Sequence, residues 1–140
     1  MNKLNLLIIG VIFLFLTISC SSLMKGEKLA EPAVKNFHDQ FNDGKYLEIY
    51  NQADDGFKKA VTEKQWIELA EKIKQKLGTV KSAKSTGSNV KTTNAGTLTT
   101  VTYDVEFSEG KGTEEFMFRI SDDKALLYNY EVNSPLWNKK

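Results

Sequence analysis

The first part of the chain is patterned with a helical period. From about Ala30 to Asn42, the apolar residues Val34, Phe37 and Phe41 recur at intervals of three and four. That spacing makes a one-sided stripe, the mark of an amphipathic helix. Glu31 and Pro32 suit its first turn, where proline is tolerated and an acid complements the helix dipole. Asp43-Gly44 stops it. A second short helix is predicted around Lys45 to Gln52, largely buried because Tyr46, Leu47, Ile49 and Tyr50 cover much of its surface. Ala53 to Gly56 reads as a turn. A third helix opens at Thr62, which with Gln65 matches a capping box. It places Trp66, Leu69, Ala70, Ile73 and Leu77 on one face and ends at Gly78.

Beyond Gly78 the period falls to two. Thr79 to Thr93 is a weak strand, rich in Ser, Thr and Lys and bent near Gly87. Asn94-Ala95-Gly96 turns the chain. Val101, Tyr103, Val105 and Phe107 then alternate with polar residues, as in a half-buried strand. Ser108 to Gly112 is a hairpin loop, and Phe116, Phe118 and Ile120 continue the inward set. After Asp122-Asp123-Lys124, the strand pattern puts Leu126, Tyr128, Tyr130 and Val132 on one side. Pro135 ends it, and Trp137 sits in the tail. Short connections make neighbouring strands antiparallel. Three N-terminal helices packed on a four-stranded antiparallel sheet give an α+β domain.

Residues 1–19 fall outside that pattern. Lys3 precedes an apolar run from Leu6 to Leu16, broken only by Gly10, and Thr17-Ile18-Ser19-Cys20 comes next. This is the layout of an export signal, and the run is shorter than the ~20 residues of a membrane span. Cys20 is the only cysteine, so no intramolecular disulfide forms. Thr17-Ile18-Ser19-Cys20 resembles the lipobox of bacterial lipoproteins, although the leucine that family prefers at position 17 is Thr17 here and Leu16 lies one residue back. The resemblance implies cleavage after Ser19 and acylation of Cys20, with the membrane reached through that lipid. Several chains anchor well, because each buried methylene contributes ~0.8 kcal/mol. Ser21 follows the cysteine rather than aspartate, which by resemblance to a known sorting pattern favours the outer membrane facing the periplasm over the outer face of the plasma membrane. Residues 20–28 then read as lipidated cysteine and tether, and 29–140 as the single domain.

Charge adds exclusions. The chain carries 19 basic and 18 acidic side chains, and loss of Lys3 with the signal balances them. That balance excludes a nucleic-acid partner held by electrostatics.

The run Phe41-Asn42-Asp43-Gly44-Lys45-Tyr46, the segment Phe57 to Thr62, Gln65-Trp66, and Lys76-Leu77-Gly78-Thr79-Val80 together resemble uncharacterised bacterial families of nuclear-transport-factor-two-like, or cystatin-like, fold. The resemblance spans most of Ala30 to Val132 and implies a strongly curved antiparallel sheet beneath the helices. It carries no catalytic residues to transfer.

Candidate chemistry is sparse. His38 is the sole histidine, beside Phe37 at the stripe edge, and reads as a partly buried or surface residue. No metal set is expected: Cys20 is taken by lipid, and Asn51 to Gly56 fails as a calcium loop, since Ala53 stands at a ligand position and Thr62 where the bidentate glutamate belongs. Asp104, Glu106, Glu115 and Glu131, with Arg119, alternate with the apolar set and predict a solvated outer face. Tyr103, Tyr128 and Tyr130 share the inward pattern and are the candidate ligand-pocket residues, because a buried tyrosine needs a partner for its hydroxyl. No catalytic residue and no cofactor is expected. The sequence favours a membrane-anchored, non-catalytic binding or interaction module with an envelope-protein or cell-wall partner. The alternative is a small-molecule pocket protein, or an unfamiliar enzyme, that uses the inward tyrosines.

Overall fold

A computed structural model of the chain describes residues 19–138. It is an α+β structure with four helices, α1 (Ser19–Asn42), α2 (Tyr46–Gln52), α3 (Asp55–Ala60) and α4 (Glu63–Leu77), and then four strands. The strands are β1 (Val80–Thr93), β2 (Gly96–Phe107), β3 (Gly110–Ser121) and β4 (Lys124–Asn133), and a 3₁₀ turn at Pro135–Asn138 closes the described chain. They form an open antiparallel sheet in the order β1-β2-β3-β4. The expected signal segment falls, except for Ser19, outside the described residues. Among the described residues no helix is long and apolar enough to cross a membrane.

The helices differ from expectation in two places. α1 begins at Ser19 rather than near Ala30, so the stretch expected to be a tether is helical and Pro32 lies inside the helix. Packing overrides the weak helix propensity of this segment. Gly26 and Ala30 are buried against the sheet, and a Cβ at position 26 would collide with the Thr99 hydroxyl. The second difference is α3, which begins inside the stretch that reads as a turn and runs on to Ala60. Asp54 caps it, its Oδ1 accepting from the Gly56 amide at 2.7 Å. The capping box of α4 forms as expected, and Gly78 takes a positive φ of 81° at its end.

α1 lies across all four strands and α4 packs on α2. The core joins Val34, Phe37 and Phe41 of α1 to Trp66, Ala70, Ile73 and Leu77 of α4 and to Val101, Val105, Phe107, Phe116 and Phe118 of the sheet. Trp66 is buried with its indole donating to the Tyr46 carbonyl at 2.9 Å. Leu69, expected on this face, is 42% exposed. It sits three residues from Trp66 but on the rim of a stripe that Trp66, Ala70, Ile73 and Leu77 fill.

The sheet carries two informative irregularities. In β4, Asn129 pairs with Met117 and Leu127 with Phe118, so Tyr128 is an unpaired extra residue. Such a bulge reverses the alternation, and the buried residues are Leu127 and Tyr130 rather than an unbroken every-second set. In β1 the register shifts between Ser85 and Gly87, close to the bend expected at Gly87. The β2–β3 connection is tighter than expected, since Phe107 already pairs with Gly110. The β3–β4 turn has positive φ at both Asp122 and Asp123, the conformation that suits a two-residue hairpin.

Candidate functional site

The inner face of the sheet buries one carboxylate. Glu114 is 1% exposed. It shares its face with Phe116 and Phe118 by strand alternation, and it pairs across strands with Tyr103 and Val132. Burying an ionised carboxylate costs several kcal/mol unless partners satisfy its oxygens. Both oxygens are satisfied. Tyr130 donates its hydroxyl to Oε1 at 2.7 Å, and His38 Nε2 lies 2.6 Å from Oε2. As a carboxylate, Glu114 only accepts, so Nε2 carries the proton. Burial, and then the adjacent Glu114, push the Tyr130 phenol well above its ordinary range. It therefore stays protonated and remains a donor.

The aromatic packing fixes this network. Phe37, Phe116 and Tyr130 form a mutual cluster with ring centroids 4.8 to 5.1 Å apart. His38 stands edge-on to both Phe37 and Phe116. The imidazole comes directly after Phe37 on α1, which places it where the helical stripe meets the sheet.

His38 is also where the network reaches the surface. A cleft of ≈ 520 Å³ runs between α1 and the β1 side of the sheet, with Pro32, Val34, His38, Val80, Ala83 and Tyr103 among its lining. It lies beside the junction of α1 and β1. At that junction, Asn42 donates to the Val80 carbonyl at 3.0 Å and accepts from the Val80 amide at 2.8 Å. Lys74 caps the last carbonyl of α1, reaching Asn42 O at 2.7 Å. Beyond that clamp the β1 residues on the core face are small: Ala83 opposite Val105 and Ser85 opposite Tyr103. β1 stays exposed on both faces from Lys81 to Asn89.

Two polar groups in the cleft lack a protein partner. His38 Nδ1 and the Tyr103 hydroxyl make no hydrogen bond to any described residue. Neither is a buried orphan: among the described residues that condition belongs to Thr99 Oγ1 alone. Burial, then the charges of Glu31 and Glu27, raise the Tyr103 phenol above its usual value, so it presents an O–H to the cleft. The cleft therefore offers the Tyr103 donor and one imidazole nitrogen beside apolar Pro32, Val34, Val80 and Ala83, with the charged side chains of Glu31, Lys35, Asp39 and Lys81 also in its lining; a few polar groups placed among apolar ones suit a small-molecule site.

The three tyrosines expected to act together separate. Tyr103 lines the cleft, Tyr130 sits beneath it on Glu114, and Tyr128 belongs elsewhere because the bulge turns it out of the inward set. The Tyr128 ring lies 4.9 Å from the Arg119 guanidinium. Arg119 in turn donates from Nε to Asp54 Oδ2 at 2.9 Å and from a terminal nitrogen to the Ala95 carbonyl. Arg119, expected on a solvated face, instead joins α3 to the β1–β2 turn. Asp104, Glu106, Glu115 and Glu131 are exposed as expected. Glu114 is the residue that sequence reasoning missed: it is a buried acid outside the set of acids expected on the outer face. A signal exists, since Glu114 stands two residues before Phe116. His38, which reads as an ordinary edge histidine, is 8% exposed and tied to that carboxylate. Among the described residues no group of three or more acidic, histidine or cysteine side chains is arranged to hold a metal.

Residues 33–128 match the family described as a protein of unknown function, DUF4019. No curated protein matches the chain.

Proposed function

The chain belongs to the DUF4019 family, and we propose that its domain binds a small ligand in the cleft between α1 and β1, contacted by His38 and Tyr103. The observation that carries this reading is the pairing of a fully satisfied buried carboxylate with an imidazole whose second nitrogen is unspent at a cleft. Glu114 fixes the ring orientation and tautomer, as an outer partner does for a ligating histidine. The Tyr103 hydroxyl supplies a donor, and Pro32, Val34, Val80 and Ala83 supply apolar contact. The reading is binding without turnover. Among the described residues no serine, threonine or cysteine is hydrogen-bonded to His38, which leaves it without a nucleophile to activate.

The setting belongs to the same proposal. Thr17-Ile18-Ser19-Cys20 supports cleavage after Ser19 and a lipid on Cys20, with the domain held at the outer membrane and facing the periplasm. The order of helices and then four antiparallel strands supports a place in the cystatin-like or nuclear-transport-factor-two-like class.

The test is a small-molecule fragment screen against isotope-labelled protein, read by NMR. Hits should cluster on His38, Val34, Ala83 and Tyr103 and weaken about tenfold in His38→Phe, where loss of a charge-capable hydrogen bond is worth ~1.5–3 kcal/mol. Hits that map only to other surfaces, or that bind His38→Phe equally well, would remove the cleft as the site.

A further inference from the structure

We infer that the first described turns of α1 form a membrane-contacting patch, and that its partner is the headgroup layer of the bilayer that holds the Cys20 lipid. The inference rests on the lipidation reading and adds an orientation to it. α1 is continuous from Ser19 to Asn42, so no flexible linker separates Cys20 from the domain. At ~1.5 Å rise per residue, Met24 stands about 6 Å along the axis from Cys20 and Lys28 about 12 Å. An acyl chain on Cys20 brings this stretch to the headgroups whatever else the domain does.

What the stretch presents suits that layer. Met24 is 54% exposed, and with Lys25, Lys28 and Leu29 it lines a shallow groove of ≈ 460 Å³. At helical spacing these four residues share the side of α1 that faces away from buried Gly26 and Ala30. Glu27 and Glu31 border this side next to Met24 and Lys28, and are close enough to Tyr103 to act on its phenol. Lysine lays its methylene stem along apolar surface while its ammonium reaches for phosphate, so two lysines flanking Met24 and Leu29 fit an interface that is apolar below and anionic above. Lys25 also meets Asp123 at 2.6 Å, which brings the β3–β4 turn, with Lys124, to the same end.

The docking of α1 turns this contact into an orientation. Gly26 lies so close to Thr99 that no side chain fits between helix and sheet, and the segment is part of the domain rather than a free arm. His38 then stands about 27 Å along the helix axis from Cys20. With α1 inclined so that this length rises from the bilayer, the cleft opens beyond the headgroup layer, toward solutes of the aqueous compartment rather than toward lipid.

The test uses the full lipidated protein in vesicles of phosphatidylglycerol and phosphatidylcholine. Nitroxide labels are placed on Met24→Cys, Lys28→Cys and Lys35→Cys, one at a time, with Cys20 acylated. Labels at 24 and 28 should relax with membrane-partitioned oxygen, and a label at 35 with an aqueous nickel chelate. Acylation is read separately by mass spectrometry. A label at 24 as open to nickel as one at 35, on a chain with acylated Cys20, overturns the orientation while leaving lipidation intact. An unmodified Cys20 overturns both.

Discussion

The molecule satisfies two buried carboxylates in opposite ways. Asp54 is held by a guanidinium and, as the cap of α3, by the Gly56 amide. Arginine stays charged under all working conditions, and Arg119 is committed on every side, to Asp54, to Ala95 and to the Tyr128 ring. Glu114 is held by an imidazole and a phenol. Histidine carries charge only when protonated, and His38 keeps one ring nitrogen unspent beside a cleft. A closed clamp built on a guanidinium ties elements together. An open one, built on an imidazole, ties elements together and leaves a group available to something else. The difference separates a staple from a site more sharply than burial does, because both acids are buried.

The comparison breaks most visibly under truncation. Glu114→Ala strands two buried donors and opens a void, and removal of one partner from a buried pair costs ~3–5 kcal/mol. Arg119→Ala acts on a partly exposed pair and should cost less, ~1–3 kcal/mol. Denaturant midpoints of the two variants give the ranking. Equal or reversed losses would mean that the Glu114 network is no more than another staple. A Glu114→Leu, His38→Leu double variant should regain part of the loss, since replacing both partners by apolar groups is close to neutral.

An intermediate effect comes from pH. The Tyr130 phenol is raised well above the ordinary tyrosine value, by burial first and by Glu114 second. A group raised in the folded state contributes stability that is whole below its unfolded value, about 10 for tyrosine. That contribution is lost as pH climbs from there through the folded value. Wild-type stability should therefore decline above pH ~10, and more steeply than in Tyr130→Phe. At neutral pH the same variant should lose ~1.5–3 kcal/mol for a hydrogen bond to a charged group. Parallel alkaline profiles of the two proteins would show that the phenol is not where the network titrates.

The smallest stability change is expected at Tyr103. Its hydroxyl has no protein partner, so Tyr103→Phe should leave the denaturation midpoint within about 0.5 kcal/mol, as for substitutions away from such networks. Fragment affinity in the cleft should fall about fivefold, the worth of one neutral hydrogen bond at ~1 kcal/mol. Unchanged affinity would remove Tyr103 from the contacting set and leave His38 alone.

The amino-acid pattern carries the elements more clearly than it carries the site. The stripe of α4 and its capping box, the alternation in β2 and the hairpin at Asp122-Asp123 are legible because each is a local pattern with a local cause. Glu114 is legible by parity with Phe116 and Phe118. It is easily passed over because an acid among phenylalanines is expected to face water unless a partner 76 residues away in sequence is known to meet it. Tyr128 falls into the wrong company because one extra residue in β4 shifts the alternation, and neighbouring apolar residues at Leu126 and Leu127 hide where the shift falls. The early start of α1 has no local signature. A polar stretch containing glycine reads as a linker, and it becomes helix through a close approach to Thr99 that lies far along the chain.

Pro32 gives α1 two lifetimes within one length. Its ring nitrogen carries no hydrogen, so the Lys28 carbonyl receives no donor from the next turn. The rungs on either side of that missing one are held by different things. Toward the C-terminus, Val34, Phe37 and Phe41 are sealed in the core and Lys74 closes the last turn. Toward the N-terminus, Gly26 and Ala30 lie flush on the sheet and Lys25 reaches Asp123. Cooperative opening tends to respect such seams. Amides after Pro32 should exchange their hydrogens only when the whole domain opens. Amides before it should exchange sooner, in an event that peels the first described turns off the sheet and leaves the core closed.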